Sequence, residues 1–241
     1  SFRYHLGLAA NYVSPSLEKT HWLSLYIQHR EGIVAYYDGD YSKVREIFDE
    51  VKRLYDAAGD SHFGMELDMI INYGNYCEKV DSLEMALQTY NSGIGLSEAE
   101  TIPFGEDRLG VIYSLLATIY EKKGELLKAL SFARKGADIF FNQHDDTDPQ
   151  AMIIYNNLGG DYLSVNNFPK AVFYIEKAYE CFLQDHGPNE TPGDVILNNL
   201  GNCYQQMGDI EKASKAFEQA IAIRTKAYGP DHVRTALAEF N

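Results

Sequence analysis

Basic residues are scarce in this sequence. Lysine and arginine number 21 against 35 aspartates and glutamates, a formal net charge of −14. So acidic a chain repels nucleic-acid phosphates and anionic lipid, which argues against nucleic acid as a partner and leaves a protein or peptide ligand. Most of the acidity reads as solvated outer helix faces. Cysteine is scarcer still: Cys77, Cys181 and Cys203 are odd in number, widely separated and set in apolar helical patterns. They read as reduced core thiols, with no disulfide or metal framework, and a reducing, cytoplasmic setting is the expectation. No apolar run approaches the length of a membrane span, and Ser1-Phe2-Arg3-Tyr4-His5 lacks the basic-then-apolar order of a signal peptide, so no membrane contact is expected of this segment.

Catalytic signatures are missing too. There is no Gly-rich phosphate loop, no His-Glu-x-x-His, no Cys-x-x-Cys and no nucleophile elbow, so no enzyme, cofactor or metal site is expected. The histidines at 5, 21, 29, 62, 144, 186 and 232 do not cluster at ligand spacing. Asn142-Gln143-His144-Asp145-Asp146-Thr147-Asp148-Pro149 gathers three carboxylates, but it lacks the spacing and glycine of a calcium loop and reads as a capping linker.

What the chain does contain is a period. Small residues stand at Gly32, Gly74, Ala117, Gly159 and Gly201, separated by 42, 43, 42 and 42 positions. Twelve positions after each come Val44, Ala86, Ala129, Ala171 and Ala213; sixteen after come Phe48, Tyr90, Ala133, Ile175 and Phe217; nineteen after come Val51, Gly93, Gly136, Ala178 and Ala220. Seven positions past each anchor lies a turn: Gly39-Asp40, Asp81-Ser82, Gly124-Glu125, Asn166-Asn167 and Gly208-Asp209. Gly or Asn ends a first helix in the left-handed region, and the next residue caps a second helix. Each unit is a helical hairpin, and the small columns mark where helices cross too closely for a longer side chain. The predicted helices cover 2–13, 17–37, 42–58, 62–79, 83–98, 106–122, 126–142, 149–164, 168–185, 192–206, 210–228 and 231–240.

This frame resembles the tetratricopeptide repeat family, whose units carry a small residue, an aromatic three later, a Gly-Asp-like turn and an Ala-x3-Phe-x2-Ala run, clearest here as Ala213, Phe217 and Ala220. The usual period of that family is shorter; the longer form is similar to kinesin light chain repeats, and Ala220 to His232, with Tyr228-Gly229-Pro230-Asp231-His232 at its end, looks like their inter-repeat segment. The resemblance implies an all-α, right-handed superhelical solenoid of antiparallel helix pairs. The expected organisation is a single array over 1–241: 2–13 as the second helix of a preceding repeat, repeats at 17–58, 60–101, 103–144, 145–186 and 187–228, and 229–241 as the start of a following repeat. Both ends cut through the pattern, so a longer parent chain with flanking domains is expected.

In this family the first helices line a concave groove, the default binding site. Two positions before the anchors stand Asn72, Asn157 and Asn199, with Arg30 and Leu115 interrupting the series and Asn241 in the next register. Amides both donate and accept, so such a ladder can hydrogen-bond the main chain of an extended peptide; the competing reading is that they bond neighbouring helices. Asn75, Asn156, Asn198, Asn202 and Gln205 enrich the same surface. The first repeat adds Tyr26, His29, Arg30, Ile33, Tyr36 and Tyr37, and aromatics with Arg are the usual anchors of interfaces. Columns three and six before the anchors contain no Lys, which argues against a clamp for a C-terminal carboxylate. The expected function is non-catalytic peptide or partner binding as an adaptor or scaffold; the alternative is the peptide-sensing domain of a bacterial signalling or transcription regulator.

Overall fold

The computed structural model describes residues 22–58, 63–99, 105–188 and 190–229. Among them are ten α-helices and no strand: α1 Trp22–Asp38, α2 Tyr41–Ala58, α3 Phe63–Lys79, α4 Leu83–Ala99, α5 Gly105–Lys122, α6 Leu126–Gln143, α7 Pro149–Ser164, α8 Phe168–Asp185, α9 Gly193–Gln206 and α10 Ile210–Tyr228. They match the predicted helices to within a few residues. The predicted segments 2–13 and 231–240, and the first residues of 17–37, lie outside the described residues. The chain divides into two compact units, Ser1–Ile119 and Tyr120–Asn241, with the division falling near the end of α5.

Within the first unit α1 packs on α2, α3 on α4, α2 on α3 and α1 on α3; within the second, α7 packs on α8, α9 on α10, α6 on α7, α8 on α9 and α7 on α9. The hairpin partners α1 and α2, α3 and α4, α7 and α8, and α9 and α10 touch, and so do the first helices α1 and α3, and α7 and α9. All-α architecture of antiparallel helix pairs is therefore observed as expected.

The five turns share one geometry. Gly39, Asp81, Gly124, Asn166 and Gly208 all have positive φ, between 58° and 79°. The residue after each donates its N–H five residues back: Asp40 to Ala35 O at 3.0 Å, Ser82 to Cys77 O at 2.8 Å, Glu125 to Tyr120 O at 2.9 Å, Asn167 to Tyr162 O at 2.8 Å and Asp209 to Tyr204 O at 2.9 Å. This satisfies carbonyls that the ending helix leaves without a partner. Asp40, Asn167 and Asp209 then cap the second helix through Lys43 N, Lys170 N and Lys212 N, whereas Glu125 makes no such bond and pairs with Lys128 instead.

Packing explains the columns. A Cβ placed on Gly74 would lie 2.1 Å from the Tyr90 ring, on Gly159 2.3 Å from Ile175, and on Gly201 2.6 Å from Phe217. Gly74, Gly159 and Gly201 thus each face the residue sixteen positions on, and no side chain fits between the helices there. The twelve-position column is sealed: Val44, Ala86, Ala129, Ala171 and Ala213 are all buried. The three cysteines are free and buried among these helices, and burial pushes the thiols of Cys77 and Cys203 up to about 11, so they stay protonated and inert.

The second unit has a further staple. Tyr120, Tyr162 and Tyr204, three positions past their anchors, are each covered by a lysine of the following helix, Lys128, Lys170 and Lys212, with Nζ 5.2 Å from the ring centroid in all three. Each contact of this kind contributes about 0.5–1 kcal/mol at an exposed site. Inside the last hairpin, Arg224 Nε donates to Asp194 Oδ2 at 2.8 Å with both groups largely buried. The acidic linker is absorbed by the fold as well: Asp145 accepts from Thr147 N, Asp148 caps α7 through Gln150 N, and Asp146 accepts from Tyr155 Oη and pairs with Lys177.

The close approach at Gly159 generates a prediction with a definite sign. Helix propensity alone would make Gly159→Ala stabilising by about 1 kcal/mol, but the collision with Ile175 is expected to win and destabilise the chain by about 1–3 kcal/mol. Ile175→Ala alone should cost about 2–5 kcal/mol. In urea denaturation the double variant should lose at least about 0.5 kcal/mol less than the sum of the singles, because removing the Ile175 side chain makes room for the added methyl; strict additivity would contradict the packing assignment.

Candidate functional site

The sequence-predicted polar residues divide by unit. In the first, Arg30 lies over the Tyr26 ring at 5.2 Å and its Nε donates to Tyr26 Oη at 3.1 Å. Asn72 on α3 donates Nδ2 to Asp68 O at 2.6 Å and contacts His29 Nε2 of α1 at 3.3 Å. Asn75 is turned into its own hairpin, where its Oδ1 accepts from Tyr90 Oη at 2.9 Å. Arg108 of α5 forks onto Asp68, with Nε 2.7 Å from Oδ1. His29, placed by sequence on the binding surface, is buried against Phe48 at a centroid distance of 5.9 Å.

In the second unit, Asn199 Nδ2 on α9 donates to Asn156 Oδ1 on α7 at 3.1 Å. This is the same register relation as Asn72 to His29: a residue three before one anchor meets a residue two before the next. Amides in these columns therefore tie first helices of successive hairpins together. Around the Asn156 and Asn199 pair, Asn157 and Gln205 are exposed, while Asn198 and Asn202 are half-buried. None of these four side chains has a hydrogen-bond partner among the described residues.

The surface between them is open and partly apolar. Ile153 and Val195, six positions before their anchors, are 52% and 45% exposed, and Val111 holds the same position in the first unit. Gly160, beside the anchor Gly159, would give a Cβ nothing to touch within 4 Å. A mid-helix glycine with no packing reason leaves room for another backbone to come close. The apolar members of this column stood in the sequence; only their exposure identifies them as part of a surface.

Two buried ionisable groups sit on first helices. Burial, reinforced by Arg30 and opposed by Asp68, pushes His29 down to about 4, so it is neutral and its Nε2 can accept from Asn72. Asp161 on α7 is pushed up to about 8 by burial, then by the hydrogen bond and charge of Glu121. Among the described residues no group of three His, Cys, Asp or Glu is placed to hold a metal ion, and no helix is long and apolar enough to cross a membrane.

These groups give opposite pH dependences. Between about pH 4 and 6.5 the unfolded chain binds more protons at His29 than the folded one, so stability falls as pH falls through that window. Asp161 keeps its proton in the fold where the unfolded carboxyl has lost it, so its contribution falls as pH rises from 3.8 to about 8. Urea midpoints measured across this range should lose their acid-side slope in His29→Gln and their alkaline-side slope in Asp161→Asn. Slopes identical to wild type in both variants would contradict the assignment.

Comparison with known proteins completes the description. A family model described as tetratricopeptide repeat matches residues 108–184 and 194–241. The chain is 30% identical over 127 residues to the photosystem I assembly protein Ycf3 of Synechococcus sp. (strain CC9605), a match that covers 53% of this chain and 65% of that protein, so the chain spans less than two thirds of the relative's length. Among solved structures it is similar to BtubC (BKLC) from P. vanneervenii, with a TM-score of 0.75 at 17% identity over 95% of this chain and 93% of that one. It is also similar to the nearly identical TPR-like repeats assigned to a kinesin light chain of Podosopora anserina, with a TM-score of 0.70 at 16% identity over 85% and 96% of the two chains. With the family model covering more than half of the sequence, and the hairpins and columns above matching its frame, the chain belongs to the tetratricopeptide repeat family.

Proposed function

We propose that this chain is a non-catalytic protein–protein interaction module, an adaptor or scaffold, whose first helices bind an extended peptide or partner segment. In the second unit the binding surface is formed by α7 and α9. The observation that carries this reading is the set of four amides, Asn157, Asn198, Asn202 and Gln205, that have no hydrogen-bond partner among the described residues, while Asn156 pairs with Asn199. The half-buried Asn198 and Asn202, flanked by the exposed Asn157 and Gln205, suit a peptide main chain, which offers donors and acceptors at regular intervals.

Ile153 and Val195 add two apolar contacts beside the amides, so the ligand is expected to carry apolar side chains next to the hydrogen-bonded segment. Gly160 lets that segment approach α7 closely. The name of the Synechococcus relative, an assembly protein, agrees with an adaptor role. The long-range charge of −14 favours a ligand that is neutral or basic.

Selection of a random peptide display library on the purified chain tests the reading. Enriched peptides are expected to bind wild type and to lose about tenfold in affinity to the Asn157→Ala, Asn198→Ala double variant, as expected for two lost hydrogen bonds, with the thermal midpoint unchanged. Peptides that bind both proteins equally well would remove the amides from the site.

A further inference from the structure

The first unit carries an aromatic cluster that the peptide-binding reading does not use. Tyr36 and Tyr37, at the end of α1, and Tyr41, at the start of α2, stand together across the first turn: Tyr36 and Tyr37 have centroids 5.4 Å apart with planes at 76°, and Tyr36 and Tyr41 are 6.3 Å apart at 53°. Tyr41 lies 6.0 Å from Tyr76 of the next first helix. Tyr37 is 81% exposed, more than any other large hydrophobic side chain among the described residues. Among the described residues none of the phenol hydroxyls of Tyr36, Tyr37 and Tyr41 makes a hydrogen bond, and no cation lies over their rings.

That last point sets them apart within this chain. In the second unit the tyrosine of each hairpin end, Tyr120, Tyr162 or Tyr204, has a lysine Nζ at 5.2 Å from its centroid. In the first two hairpins the corresponding positions are Ala35 and Cys77, and the tyrosines have moved one and two places on, to Tyr36 and Tyr37 in the first. There they form a surface of ring faces at steep mutual angles. Ring separations of 5.4–6.3 Å allow one ammonium to lie within about 6 Å of more than one centroid, the range in which the ring quadrupole attracts a cation.

Acidic groups stand beside the cluster. Glu78 acts on Tyr36 together with its two neighbouring phenols, and no cation counts among the groups that set the acidity of Tyr36. The Asp40 carboxylate caps α2 in the same turn, accepting from Lys43 N at 3.2 Å and from Ser42 Oγ at 2.9 Å. Lys43, which holds in the first hairpin the register of Lys128, Lys170 and Lys212, is exposed and lies over none of the three rings, and Arg45 of α2 pairs with Asp49 at 3.7 Å. We propose that Tyr36, Tyr37 and Tyr41 form a second binding site, which takes the ammonium of a lysine side chain presented by a basic partner segment.

The site is independent of the amides on α7 and α9, and its test separates the two. The whole chain is labelled with 3-fluorotyrosine, the fluorine signals of positions 36, 37 and 41 are assigned by single Tyr→Phe variants, and the protein is titrated with acetyl-Gly-Lys-Gly-amide and with the same peptide carrying norleucine, the neutral isostere. The lysine peptide is expected to shift the three signals at concentrations about tenfold below those the norleucine peptide needs. Tyr37→Leu, which keeps apolar bulk but has no ring face, should abolish that discrimination, and the exposure of the position makes an unchanged thermal midpoint the expected control. Equal response to the two peptides, discrimination that survives Tyr37→Leu, or no shift at these positions up to the solubility limit of the lysine peptide would overturn the proposal.

Discussion

The structure depends on one steric constraint, the approach of each first helix to its partner at the small anchor residue. With Cβ-equivalent distances of 2.1–2.6 Å at Gly74, Gly159 and Gly201, there is no room for even a methyl group. Close crossing brings the sixteenth residue, Tyr90, Ile175 or Phe217, directly onto backbone, and seals the twelfth-residue column behind it. Everything else in a hairpin follows from that contact. Turn geometry with positive φ is required to bring the second helix back at this distance, and the Tyr and Lys staple closes the open end in the second unit.

Because apolar packing consumes one side of each first helix, its other side is left to polar chemistry. Some of that chemistry is internal: Asn199 to Asn156, Asn72 to Asp68 O and His29, Asn75 to Tyr90, Arg108 to Asp68. These bonds align successive first helices and hold their side chains in fixed rotamers. The amides that remain, on α7 and α9, are thereby presented on a rigid platform, which lowers the ordering cost of binding an extended segment. Both binding readings rest on groups that have no hydrogen-bond or cation partner among the described residues.

The helices, turns and packing columns were legible in the sequence because their causes are local or periodic. Gly39, Gly124, Asn166 and Gly208 announce the left-handed turn by residue type, and the anchors and sixteenth residues announce their contact by repetition. Asp81 in the left-handed region was legible only through its register. Side-chain pairing was not legible in the same way. Nothing in the order of residues says that Asn75 points into its hairpin while Asn202 does not, or that His29 is buried and Asp161 is raised by burial and by Glu121, since these depend on rotamers and on the tilt of a neighbouring helix. The Lys128, Lys170 and Lys212 column is a signal that periodicity alone offered, at eight positions after each tyrosine.

The central claim is that the partner lies along the first helices through amides left without internal partners. Side-chain amide resonances report on it directly. In a titration of the isotopically labelled chain with a library-selected peptide, the Nδ2 signals of Asn157, Asn198 and Asn202 are predicted to shift together and saturate at one peptide concentration, while that of Asn75, whose amide is already bonded to Tyr90, stays in place. Perturbation confined to residues of the second helices, such as Leu127 and Phe173, with the first-helix amides unmoved, would contradict the account.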